Sequence, residues 1–154
     1  MPTPEFLQHH SRFVENLLEH RFLFDLGRSL ALRKEPELLG ILKAQVDMNG
    51  VDLTLTSKRQ IRHLQMKTRS NRPAATPYEI SDAIWGSEDG CVVWMIYESA
   101  TLEPTEYHLL GRPLPELRIF AASPKKAGFR KVWTRNANHR FLSIEDLAKV
   151  LFPE

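Results

Sequence analysis

Residues 51–69, VDLTLTSKRQIRHLQMKTR, restrict the fold of this chain more than any other stretch. Val51, Leu53 and Leu55 alternate with Asp52 and Thr54, the period of a half-buried strand. Ser57-Lys58-Arg59-Gln60 forms a polar turn, and the alternation resumes from Ile61 to Thr68. Ile61, His63, Gln65 and Lys67 then share one face, and Arg62, Leu64, Met66 and Thr68 share the other. Two such strands joined by a short turn pair as a hairpin, which brings Asp52 beside Gln65 and Lys67. The middle of the chain is therefore a sheet, and the flanking segments must cover it.

Those segments carry their own signals. Residues 4–34 predict one long helix, with Thr3 at the N-cap and Pro4 at the first helical position. Phe13, Leu17, Leu23, Phe24, Leu26 and Leu30 recur at helical spacing as a broad apolar face, and Glu35-Pro36 marks the stop. Residues 37–47, ELLGILKAQVD, predict a first strand with Leu38 to Leu42 buried, ending at the turn Met48-Asn49-Gly50. Residues 77–86, PYEISDAIWG, predict a short helix opening with Pro77, with Ile80, Ala83 and Ile84 on its buried side. Residues 91–97, CVVWMIY, form an unbroken β-branched and aromatic run, the mark of a central strand covered on both faces.

Residues 105–110 predict an edge strand, followed by a rigid turn from Gly111 to Pro115. Ser143 caps a terminal helix whose Asp146 completes a capping-box variant. Its Ile144, Leu147, Val150 and Leu151 pack back onto the core. The expected class is α/β (α+β): a central mixed β-sheet flanked by helices, with a long N-terminal helix. The 154 residues suit one domain spanning 1–154, with a basic C-terminal extension at about 117–144 before the terminal helix.

Composition narrows the function classes. The chain is 42% hydrophobic and 26% charged, as expected of a soluble globular protein. It has no apolar run near the ~18 residues of a membrane span. MPTPEFLQHHSRF lacks the basic start and apolar stretch of a secretory signal. Cys91 stands alone, so no internal disulfide forms, and a cytoplasmic location is the expectation. The six histidines show no zinc-ligand spacing, the glycines form no phosphate-binding loop, and no Gly-x-Ser-x-Gly elbow occurs.

Charge is segregated. Residues 53–78 hold six Lys and Arg and no acid, and residues 117–144 hold seven and none. Residues 79–116 hold eight acids against one Arg. Either the two basic stretches share a surface able to hold a phosphate backbone, or they pair with the acidic stretch inside the fold.

Asp52, Gln65 and Lys67 are the residues with chemistry. A carboxylate, an amide oxygen and a lysine converging at strand ends suit a hard divalent cation and an attacking water. The alternative is a solvated hairpin. Glu19 continues the line Leu23, Leu26 and Leu30 by one helical turn and so points toward the sheet. Glu15 is the second choice, and the alternative for Glu19 is a boundary acid paired near Arg12 or His20. Asp47 reads as a turn former.

Val51-Asp52 and Gln65-Met66-Lys67 resemble the two motif elements of the PD-(D/E)XK (restriction endonuclease-like) nuclease superfamily, over roughly residues 10–100. Val stands in place of Pro, and Gln in place of the second acid, which removes one negative charge from the metal site. The order helix, strand, hairpin, helix, buried strand is also the core order of that superfamily.

The resemblance implies Mg²⁺- or Mn²⁺-dependent hydrolysis of phosphodiester bonds in nucleic acid, DNA above all. By it, Asp52 bridges the metal, and Gln65 with the Met66 carbonyl completes the protein ligation. Lys67 positions the attacking water, and Glu19 binds a second metal or orients a ligand water. Arg69 and Arg72 in the loop after Lys67 would contact phosphates, as would Lys125, Lys126, Arg130, Lys131 and Arg135, interleaved with Phe129 and Trp133. A homodimer is a further expectation from the resemblance. The rival is a catalytically inactive domain of the same fold that binds nucleic acid or a protein partner, and a third reading makes the acidic stretch 79–116 a partner surface.

Overall fold

A computed structural model describes residues 3–48, 50–71, 78–111, 127–132 and 139–154. Two helices open the chain, α1 (Pro4–His9) and α2 (Ser11–Ala31). Thr3 caps α1 by accepting the Phe6 N–H, and Pro4 stands at its start, as expected. The single helix expected over 4–34 is instead broken at His10, whose backbone (φ −116°, ψ 29°) is not helical. The joint falls at His9-His10-Ser11, three consecutive weak helix formers. Helix α2 ends at Ala31, before the Glu35-Pro36 stop.

Six strands build a mixed sheet among the described residues: β1 (Gly40–Met48), β2 (Val51–Ser57), β3 (Gln60–Ser70), β5 (Gly90–Tyr97), β6 (Pro104–Gly111) and β8 (His139–Phe141), in the order β1-β2-β3-β5-β6-β8. β5 runs parallel to β3, and every other pairing is antiparallel. The connection from β3 to β5 passes through β4 (Tyr78–Ser81) and the short helix α3 (Asp82–Gly86). β4 pairs antiparallel with β7 (Phe129–Val132) as a separate two-stranded sheet. Helix α4 (Ile144–Leu151) closes the chain.

The two faces of the large sheet have different covers. Leu53, Leu55, Leu64, Val93, Met95 and Leu109 pack under α2 and α4. On α2 the buried line is Val14, Leu18, Phe22, Leu26 and Leu30, and each is worth about 1.5–3 kcal/mol in burial. On the other face Val92, Trp94, Ile96 and Leu110 pack against Ile80 and Ile84. β5 is thus covered on both sides, as its composition demands. Ser143 caps α4 through the Asp146 N–H, and Arg62 and Arg33 hold that helix by bonds to the Leu151 and Ala148 carbonyls.

Four expectations need correction. Phe13, Leu17 and Phe24 are 60%, 44% and 67% exposed, because the sheet takes the opposite side of α2. Leu38, which precedes β1, and Leu42 are exposed rather than buried; among the described residues β1 pairs only with β2, at the edge of the sheet. Residues 78–81 are a strand, not the start of a helix, since β7 supplies a ladder; the helix begins only at Asp82, and Ala83 is exposed. β6 is interior, because β8 pairs with its outer side. The expected turn from Gly111 to Pro115 lies beyond Gly111 outside the described residues, as does Asn49. Among the described residues no helix is long and apolar enough to cross a membrane.

Candidate functional site

The β2–β3 hairpin pairs Ser57 with Gln60, Thr56 with Ile61, Leu55 with Arg62, Thr54 with His63 and Leu53 with Leu64. The ladder stops there. One residue further, the Asp52 carboxylate takes the place of the next backbone acceptor and receives the Met66 N–H at 2.8 Å. A strand residue directs its N–H and C=O to the same neighbouring strand, so the Met66 carbonyl points toward β2. The hairpin therefore brings Asp52 against the Gln65-Met66-Lys67 segment, as the alternation predicted.

Gln65 and Lys67 lie on the face opposite α2, since they pair in register with Val92 and Trp94 of β5. Gln65 is 3% exposed, and among the described residues its Oε1 has no hydrogen-bond partner. A buried amide oxygen left without a donor costs about 1–3 kcal/mol. Lys67 is half-buried, and no described residue pairs with its ammonium group. His63, on the same strand face, is tied to Thr54 Oγ1 at 3.0 Å.

Two residues that the sequence did not single out complete the wall. Gly50, in the β1–β2 turn, is buried and has a left-handed backbone, φ +81°. A Cβ on it would lie 2.5 Å from Ser81 Cβ and 3.1 Å from Gln65 Nε2. Ser81 is 3% exposed and caps α3 by accepting the Ala83 N–H at 3.2 Å. The β1–β2 turn, β3 and the β4–α3 junction thus meet at the Gln65 amide. The signal for Gly50 was the Asn-Gly turn, and for Ser81 the Ser-Asp pair that starts a helix; neither says what it touches.

Glu19 is elsewhere. It is on α2, on the other face of the sheet from Gln65 and Lys67, and pairs with Lys43 of β1 at 2.6 Å. No described contact brings it to Asp52. Glu15 is exposed, and its charge helps raise the Tyr97 hydroxyl above its ordinary pKa, after the larger effect of burial.

The basic stretches divide between pairing and exposure. Lys58 pairs with Glu37, Arg62 with Asp89 and Arg140 with Glu106. The small sheet sets Lys131 opposite Glu79, Arg130 opposite Ile80 and Phe129 opposite Ser81, so β7 runs along the strand that ends against Gly50. Arg69, expected in a loop after Lys67, is half-buried on β3, which runs on to Ser70. Arg72, Lys125, Lys126, Trp133 and Arg135 lie outside the described residues.

Asp52, the Gln65 amide and the Met66 carbonyl supply three hard oxygens, the kind of donor Mg²⁺ takes. The orphaned Gln65 oxygen fits such an ion. The set carries little charge, and among the described residues no group of three or more His, Cys, Asp or Glu stands together. No protein-family model, curated sequence or solved structure matches this chain.

Proposed function

We propose that this chain is a metal-dependent nuclease with a restriction-endonuclease-like core, hydrolysing phosphodiester bonds in nucleic acid, DNA in the first place. The observation that carries the reading is the buried, unpartnered Gln65 oxygen on the segment that binds the Asp52 carboxylate, with the Lys67 ammonium two residues on. The order from α2 through β1, β2, β3, β4 and α3 to the parallel strand β5 supports it.

In this reading Asp52, Gln65 and the Met66 carbonyl hold Mg²⁺ or Mn²⁺. The bound ion supplies Lewis acidity toward a phosphoryl oxygen and lowers the pKa of a bound water. Lys67 orients that water and stabilises the charge that develops on the phosphate. Glu19, paired with Lys43 on the other face of the sheet, takes no part in this reading. β7 and Arg69 line the approach of the phosphate backbone, with Lys125, Lys126, Arg72 and Arg135 as further contacts. One such site cuts one strand, so a duplex substrate calls for two copies. The lone, buried Cys91, whose thiol burial pushes up to about 12, suits the reducing cytoplasm.

The test is Mg²⁺- or Mn²⁺-dependent cleavage of single-stranded, duplex and branched DNA and RNA, run beside Lys67→Ala. Cleavage by the parent and its loss in the variant support the reading; cleavage by both moves the activity away from this hairpin. A second reading, an inactive domain of the same fold that binds nucleic acid or a protein partner, is favoured by the single carboxylate among the three oxygens. Under it, the parent and Gln65→Glu alike bind no Mn²⁺, whereas in a working site Gln65→Glu binds the ion at least as tightly as the parent. Salt-sensitive binding without cleavage is its expected signature.

A further inference from the structure

An amide has one acceptor oxygen and one donor end, whereas a carboxylate presents two equivalent oxygens. A glutamine ligand therefore needs its orientation fixed in a way that a glutamate does not. Gln65 is buried among segments that are distant in sequence, and the nitrogen end of its amide lies toward Gly50, where a Cβ would stand 3.1 Å from Nε2. The same Cβ would be 2.5 Å from Ser81 Cβ and 3.3 Å from Ser81 Oγ, so glycine is required for the turn to close on both residues. Ser81 is held in turn by its bond from the Ala83 N–H and by the Asp82 N–H donating to the Gly128 carbonyl next door. Oε1, at the other end of the amide, is buried and has no partner among the described residues.

We propose that Ser81 and Gly50 are positioning residues that hold Gln65 with its amide nitrogen toward the β1–β2 turn and its oxygen free to ligate a cation. The inference rests on the metal-site reading above and extends it to residues that touch neither metal nor substrate. Ser81, at the start of α3, holds the turn through Gly50 and so holds the amide through the turn.

The experiment is a double-mutant cycle read by direct Mn²⁺ binding, measured from the paramagnetic relaxation of solvent water, with no substrate present. Ser81→Ala removes the hydroxyl, and Ser81→Gly removes the whole side chain while keeping a residue tolerated at an N-cap; the second serves if the first does not fold. Each is made in the parent and in Gln65→Glu. Loss of an outer partner of a metal ligand typically weakens binding about 10–100-fold. The expected result is a loss of about tenfold or more in the glutamine background and less than about twofold in the glutamate background. Equal losses in both backgrounds, or none in either, overturn the positioning role and leave the metal site standing. No Mn²⁺ binding by the parent or by Gln65→Glu overturns both the site and the inference.

Discussion

The two ends of the β2–β3 hairpin each bury a polar side chain, and they treat it in opposite ways. At the turn end is Glu37, whose side chain is 2% exposed. Its carboxylate accepts from Ser57 Oγ at 2.7 Å and from Arg33 at 2.9 Å, with the Lys58 ammonium at 3.2 Å. The Ser57 bond is the largest influence on its acidity; against the cost of burial, Ser57, Arg33 and Lys58 together hold the carboxyl at about 2, below its usual 4.5. At the open end Gln65 is as deeply buried, and its oxygen has no donor among the described residues. Burial of a polar group is tolerated when every lone pair is used, and is costly when one is not. The saturated cluster joins the end of α2, the approach to β1 and the hairpin turn, so it belongs to the architecture. The unsaturated end is what a ligand would complete.

Substitutions should separate the two ends. Glu37→Ala strips Arg33, itself 7% exposed, of its buried partner. Breaking a buried pair in this way costs about 3–5 kcal/mol, read as a fall in the denaturation midpoint, while cleavage per folded molecule is unchanged. Lys67→Ala reverses the pattern. On the proposed nuclease reading, cleavage falls by about 10²–10³-fold, the usual loss of a donor to a developing oxyanion, with the midpoint of unfolding preserved. If Lys67→Ala costs stability instead, the open end belongs to the architecture too, and the contrast collapses.

Acid sharpens the comparison. The folded Glu37 carboxyl titrates near 2 and the unfolded one near 4.5, so the folded state holds fewer protons between these values. Its contribution is complete above about pH 4.5 and is lost as pH falls toward 2. Denaturant midpoints for the parent and for Glu37→Gln should differ most at neutral pH and converge over that window. Curves that stay parallel below pH 4.5 would mean that the Ser57, Arg33 and Lys58 contacts do not set the acidity.

A smaller effect, of opposite sign, is expected at Gln65. Gln65→Met keeps the length of the side chain and removes the orphaned oxygen, so it should stabilise the fold by about 1 kcal/mol and abolish Mn²⁺ binding. A destabilised variant would indicate that the amide oxygen has a partner in solution.

This division also explains how much was legible in the sequence. Period-2 alternation is a local property, so both strands of the hairpin, the meeting of Asp52 with Gln65-Met66-Lys67 and the doubly covered β5 could be read directly. The caps Thr3 and Ser143 are local too. What failed was set by distant partners. Tyr78-Glu79-Ile80-Ser81 is a strand only because Phe129–Val132 lies beside it, and no four-residue pattern carries that information. α2 carries large apolar side chains on both sides, so the helical period alone did not decide between Phe13, Leu17 and Phe24 and the true core line of Val14, Leu18 and Phe22. Leu38 to Leu42 have the composition of a buried run, but strand order made β1 an edge. Ser81 reaches Gly50 through tertiary packing across thirty-one positions of sequence, which leaves no trace in spacing.

Glu19 gives the smallest expected effect. Its line on α2 pointed inward, and the side chain is indeed only 14% exposed. The group it meets is the Lys43 ammonium at 2.6 Å, at the sheet edge and on the α2 side. Lys43 is half exposed, so solvent screens the pair, and such pairs contribute about 0.2–1 kcal/mol. Glu19→Gln should therefore lower stability by less than about 1 kcal/mol, and Lys43→Met by a similar amount. The double variant should cost no more than either single one, since both remove the same pair. Mn²⁺ affinity should stay within about twofold in all three, since no described contact brings Glu19 to Asp52, whereas losing an outer partner of a ligand costs about tenfold or more. A tenfold loss in Glu19→Gln that Lys43→Met does not reproduce would separate the carboxylate from its ion pair. It would show that Glu19 reaches the ion from the far face of the sheet, and the site would then span both covers instead of one.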